Sequence, residues 1–116
     1  MTIHRISSNE RLSGAVTYKE LVFLSGQVPG EGLDVATQTR EVLARIDALL
    51  AEAGSDKDHL LSATIYLKDI GEDFAAMNDV WSAWLSPGQA PSRTTLQAEL
   101  ARPQVRVEIS VIAARR

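Results

Sequence analysis

The chain has no cysteine. Disulfides, thiolate nucleophiles and thiolate metal sites are excluded together. Histidine is nearly as scarce, with only His4 and His59. Nothing in the sequence makes these two converge as an acid/base pair, and no His/Asp/Glu set has metal-ligand spacing. Both histidines are read as surface residues, and no metal is expected. Long apolar runs are also missing, and none approaches the ~20 residues of a membrane-spanning helix. The start, Met1-Thr2-Ile3-His4-Arg5, has no hydrophobic stretch behind it. No signal peptide is therefore expected, and the cytoplasm is the default. Positive charge is not concentrated either. The formal net charge is -3, and the single basic pair is Arg115-Arg116 at the end. Nucleic-acid binders gather Lys and Arg on one face, so this scatter argues against such a partner.

With 116 residues, the chain has room for one domain, residues 1–116, and not for two. Hydrophobic residues at 45% and charged residues at 23% suit an ordinary globular core. There are no repeats, linkers or low-complexity segments. The core is small enough that burial between copies would help it.

Residues 3–6 allow a short opening strand. Ala15–Tyr18 and Leu21–Leu24 flank Lys19-Glu20, two β-rich runs around a two-residue break, which predicts a hairpin. Gly and Pro in Ser25-Gly26-Gln27-Val28-Pro29-Gly30 end the second run. Asp34 can cap a helix over about 34–53, whose stripe is Val42, Ile46, Leu49, Leu50 and Ala53. Gly54 stands where a left-handed C-terminal residue is wanted. Residues 62–67 read as a strand and 69–73 as a loop containing Gly71. A second helix is predicted over about 73–85, with Phe74, Met77, Trp81 and Trp84 on one core-facing side, ended by Pro87-Gly88. Two strands close the chain, about 93–100 and 105–113. The second alternates Val105, Val107, Ile109 and Val111. The order ββαβαββ predicts an α+β two-layer sandwich, helices on one face of a sheet. Any apolar residues on the other face would need covering by a further copy of the chain.

Two residues stand out for chemistry. Arg93 begins a strand and shares a face with Thr95, Gln97 and Glu99. It can be a solvated edge residue or a bidentate clamp for a planar carboxylate. Glu108 lies opposite Val107 and Ile109. It can be an exposed charge or a carboxylate that orients or deprotonates water. A hairpin turn near Pro103 would make their strands neighbours, leaving the pair roughly 10 Å or less apart. A small substrate and one water would fit between them. Ser25 has no visible histidine partner, which argues against a Ser-His-Asp triad. Gly26 and Gly30 lack the Lys-Ser/Thr of a phosphate loop.

Leu24-Ser25-Gly26-Gln27-Val28-Pro29, Met77-Asn78-Asp79-Val80-Trp81, Ala90-Pro91-Ser92-Arg93-Thr94-Thr95 and Val107-Glu108-Ile109 occur in this order. Together they resemble the RidA (YjgF) family of reactive imine/enamine deaminases, over about residues 10–114. The resemblance implies a chorismate-mutase-like fold and a homotrimer with sites between subunits. It implies cofactor-free hydrolysis of 2-imino or enamine acids to 2-ketoacids and ammonia. Its partners would be a small carboxylate-bearing imine, enamine or ketoacid. By this resemblance Arg93 binds the substrate carboxylate and Glu108 positions the water and moves protons. Ser25 and Gly26 line the pocket, Asn78 supports it, and the backbone around Thr95 contacts the substrate. Two positions depart from the best-studied branch: Leu12 where that branch has tyrosine, and Thr95 where it often has cysteine. Both fall at the expected pocket wall and suggest a sibling subgroup. The alternatives are a non-catalytic trimeric small-acid-binding or regulatory protein and, with less support, an endoribonuclease or translation inhibitor.

Overall fold

The computed structural model describes residues 2–116. Six strands and two helices follow in the order β1 (Ile3–Ser8), β2 (Ser13–Tyr18), β3 (Leu21–Leu24), α1 (Val35–Glu52), β4 (Leu60–Leu67), α2 (Ile70–Trp84), β5 (Ser92–Gln97) and β6 (Val107–Ala114). The opening strand that residues 3–6 allowed is present as β1 and runs on to Ser8, so the order is βββαβαββ and not the ββαβαββ expected, because Ile3–Ser8 pairs along β2 as an edge strand. The strands form one sheet in the spatial order β1-β2-β3-β6-β4-β5. Only β4 and β5 run parallel. Parallel neighbours cannot be joined by a tight turn, and α2 provides the crossover between them.

Both helices lie on one face. From α1, Val42, Leu43, Ile46 and Leu50 are buried, and from α2, Met77 and Trp81. They meet the inward residues of the sheet, among them Val22, Ile65, Leu67, Val107 and Ile109. The alternation expected at Val107, Ile109 and Val111 holds and continues to Ala113, all four facing the helices, while Val105 falls before the strand.

Local signals explain the helix bounds. The Asp34 carboxylate accepts the Thr37 amide at 2.7 Å and satisfies one free donor of α1. At the other end Gly54 takes φ +81°. The Ser55 amide bonds Leu50 O and the Gly54 amide bonds Ala51 O, closing a Schellman motif. For α2 the expected loop over 69–73 is already mostly helix. Asp69 caps it by accepting the Glu72 amide at 3.1 Å. Gly71 does not prevent this, because first-turn amides have no intrahelical partner to lose. Phe74 departs from its expected core position and stays 40% exposed.

The last two strands depart most from expectation. No hairpin joins β5 to β6, because β4 lies between them. β4 pairs antiparallel with β6 from Leu60↔Ala113 to Leu67↔Val107, and parallel with β5 from Ser62↔Ser92 to Leu67↔Gln97. Ala63, Ile65 and Leu67 are almost wholly buried. A strand so deep must satisfy its backbone groups on both edges, and a neighbour on each side does that. The strands end at Gln97 and begin again at Val107, so residues 98–106 form a connection around Pro103. Val105 is buried there without strand pairing.

Gln38 ties this connection to α1. It is 1% exposed. Its amide donates to Gly32 O and Gln104 O, and its carbonyl accepts the Arg106 amide at 2.7 Å. Gln38→Ala removes the hydrogen-bond partner of three partly buried backbone groups. It is expected to cost about 3 kcal/mol, at about 1 kcal/mol or more for each group left unpaired, as measured by urea denaturation.

Candidate functional site

Arg93 projects from β5 on the helix side, level with Ala63. Its Nη1 donates to Asn78 Oδ1 at 2.6 Å. Its guanidinium carbon sits 5.8 Å from the ring centroids of both Phe74 and Trp81. Burial lowers its pKa below the ordinary arginine value, yet a guanidinium stays protonated in proteins. No carboxylate among the described residues pairs with it. The cation is therefore partly stripped of water and supported by neutral groups alone. Arg106 shows the opposite arrangement. Its Nε bonds Asp73 at 2.9 Å and its Nη2 bonds Glu72 at 3.2 Å. The Asp73 hydrogen bond, foremost, holds its pKa up. Arg106 is an internally neutralised clasp, whereas Arg93 is open to an outside anion.

Thr95 follows two residues along β5 on the same side, level with Ile65. Its Oγ1 is buried, and among the described residues it has no hydrogen-bond partner. Asn78, expected to support the pocket, meets Arg93 directly. Trp81 fills two places: it belongs to the core, and its ring also faces the guanidinium.

Glu108 is elsewhere. It points to the sheet face away from the helices, level with Tyr66 of β4. Its carboxylate lies over Gly26, where a Cβ would come within 2.1 Å of Glu108 Oε2. That position thus needs glycine because of close approach, not backbone strain. The Gln27↔Ile109 bridge holds this loop against β6. Gly26, Tyr66, Leu100, Glu108 and Ser110 line a cavity of about 350 Å³. Gly26 also borders a second, mainly apolar cavity of about 510 Å³ with Leu12, Ser25, Val28 and Leu49. The Ser25 hydroxyl donates to Ser13 O at 2.6 Å, so it stiffens the wall.

The candidates therefore fall into two groups. Arg93, Asn78 and Thr95 form one, and Glu108, Gly26, Ser25 and Leu12 the other. The expected proximity of Arg93 and Glu108 within one chain is overturned. They lie two strands apart, about 10 Å across and about 10 Å along the sheet, and on opposite faces. A larger concavity of about 670 Å³, walled by Lys68 and residues 97–103, contains none of the candidates.

The histidines stay apart from both groups. His4 is exposed on β1. His59 closes a short 3₁₀ turn, and its Nδ1 lies 2.7 Å from Asp56 Oδ1. That hydrogen bond is the main cause of a lowered Asp56 pKa. Among the described residues no three His, Asp or Glu side chains are placed to hold a metal ion. Nor is any helix long and apolar enough to cross a membrane.

The chain matches the family model Ribonuc_L-PSP, described as endoribonuclease L-PSP, over residues 2–115. It belongs to this family, that of the YjgF, RutC and Rid proteins. RutC family protein YoaB of Escherichia coli (strain K12) is 44% identical over 114 residues, covering 98% of this chain and 99% of the relative. The crystal structure of NMB1025, a member of the YjgF protein family from Neisseria meningitidis, matches with a TM-score of 0.97 at 51% identity. That match covers 100% of this chain and 97% of the other. YyfA of Yersinia pestis, described as belonging to the conserved Rid protein family, gives 0.85 at 30% identity over 92% and 90% of the chains. The mixed α+β architecture of this YjgF-type chain, six strands and two helices, is the one these structures share.

The row Leu96, Tyr66 and Glu108 across the open face was not foreseen from sequence. Tyr66 could be aligned with Glu108 only once β4 was known to lie beside β6.

Gly26→Ala tests the close approach. The added methyl would push the flexible end of Glu108 aside and leave the backbone in place. An unchanged far-UV circular dichroism spectrum and a new Glu108 rotamer in a crystal structure are expected.

Proposed function

We propose that this Rid-family chain hydrolyses small 2-imino or enamine acids to 2-ketoacids and ammonia. Its sites form between copies of a homotrimer, each joining the Arg93 group of one copy to the Glu108 group of the next. The observation that carries this is the desolvated Arg93 guanidinium. It has no anion of its own, and the carboxylate meant to work with it lies out of reach on the same chain.

The uncovered sheet face supports assembly. Leu21, Phe23 and Ile112 are 37–39% exposed there. Phe23 stands level with Ile112 on one side and with half-buried Val16 on the other. A contiguous apolar patch of this kind gains stability by meeting its like. Of the two edge strands, β5 is the one that carries Arg93 and Thr95.

The chemistry suits these groups. An iminium carbon is already electrophilic, so no strong nucleophile is needed. Arg93 would hold the carboxylate in bidentate fashion. Glu108 would take a proton from a water as its oxygen bonds to carbon, giving a carbinolamine. The same proton would pass to nitrogen; Glu108 would then take the hydroxyl proton as the C–N bond breaks, leaving the ketoacid carbonyl, and pass that proton to the departing ammonia. Orientation of water and imine together supplies several kcal/mol of the barrier reduction. Around Glu108, the small cavity and the apolar one beside Leu12 give room for a water and a short side chain.

Arg93→Ala is expected to weaken 2-ketobutyrate binding about 30-fold or more in calorimetry, the loss of a charge-assisted pair worth about 2–3 kcal/mol. Hydrolysis of imines made in situ by an amino-acid oxidase should fall in parallel. Unaltered binding would end the clamp assignment. Ketoacid binding by wild type with no hydrolysis of any imine would make the protein a small-acid binder instead.

A second test addresses the shared site. Arg93→Ala and Glu108→Ala should each be inactive alone. Co-expressed in equal amounts, they should recover about a quarter of wild-type activity, since one interface in about four joins two intact residues. No recovery, or a monomeric mass near 12.6 kDa in sedimentation, would defeat the arrangement.

A further inference from the structure

Tyr66 stands directly across from Glu108 on the open face, with Leu96 on its other side. Opposed residues on neighbouring antiparallel strands have Cβ atoms about 4.5–5.5 Å apart. The two side chains therefore leave the sheet side by side on one face. Both side chains line the same cavity of about 350 Å³, with Gly26 and Ser110. Both are only half-buried. Neither side chain makes a hydrogen bond or ion pair among the described residues. A phenol and a carboxylate adjacent in one cavity and both unspent are arranged to bind a third body between them. A carboxylate can only accept, whereas a phenol can also donate. The two are complementary towards a molecule that carries a proton on one side and a developing negative oxygen on the other.

We infer, on the function proposed above, that Tyr66 is a further catalytic residue whose hydroxyl donates a hydrogen bond to the attacking oxygen. As water adds, one O–H bond breaks, its proton goes to Glu108, and the oxygen forms its bond to the imine carbon. Tyr66 keeps its own proton and holds that oxygen throughout. After Glu108 returns the proton to nitrogen, it removes the hydroxyl proton. The negative charge this leaves on oxygen forms the carbonyl as the C–N bond breaks, the C–N electron pair leaves with ammonia, and Glu108 hands the proton to that ammonia. Charge builds on this oxygen in the collapse step, where a fixed donor acts more strongly than in the ground state. Substrate binding through Arg93 does not involve the phenol.

Tyr66→Phe separates this role from a structural one. The expected result is kcat lowered about 10-fold or more, with 2-ketobutyrate affinity and oligomer mass unchanged. In a cycle with Glu108→Gln, the double variant should be no slower than Glu108→Gln alone, because both residues serve one oxygen. If Tyr66→Phe keeps kcat within twofold while Glu108→Gln collapses it, the inference fails and the deaminase function stands. A Tyr66→Phe variant that loses its oligomer mass or its ketoacid affinity also overturns it, by assigning the phenol to assembly or binding. If Glu108→Gln itself turns over at the wild-type rate, both the function and the role of Tyr66 fall.

Discussion

A guanidinium half removed from water must meet negative charge somewhere or be held by dipoles and π faces at lower advantage. Arg93 has only the second kind of support within its chain, from Asn78, Phe74 and Trp81. The molecule contains another buried-side arginine, Arg106, which it neutralises with Asp73 and Glu72. The contrast is between one arginine neutralised within the chain and one held by neutral groups alone. The neutral support explains why α2 carries Phe74 partly exposed: the ring covers cation as well as core.

The position of β4 governs everything else about the site. Parallel to β5 and antiparallel to β6, it separates the two strands that bear the charged candidates. Alternation along each strand then sends Arg93 towards the helices and Glu108 away from them. No side-chain rotation reverses that, since both directions are set by backbone pleat. A site using both residues therefore has to be intermolecular, and the apolar open face gives copies a reason to meet. Tyr66 belongs to this geometry, because the β4–β6 register aligns it with Glu108.

Much of the secondary structure was legible in the residues. Asp34, the Val42–Leu50 stripe and Gly54 marked α1 because capping and amphipathicity are local. Lys19-Glu20 marked the β2–β3 hairpin, and the Val107–Val111 alternation marked β6. The Asp69 cap is hidden in the sequence by Gly71, which signals a loop, although a glycine in a first turn loses no bond. Arg93, Glu108, Gly26 and Asn78 were recognisable by type and by the segments around them. Thr95 was marked, but not as an orphaned hydroxyl, and Tyr66 was invisible among strand residues.

The sequence by itself determined most strand and helix segments, the inward and outward residues of the last strand, and the absence of thiol chemistry. These depend on periodicity, capping and composition, which act over a few neighbouring positions. Only the tertiary structure decided that β4, not a turn at Pro103, connects the neighbourhoods of β5 and β6. Strand order depends on which buried edges must be satisfied across the whole sheet, a non-local condition. For the same reason only the folded chain reveals that its two principal charges face apart and that Tyr66 accompanies one of them.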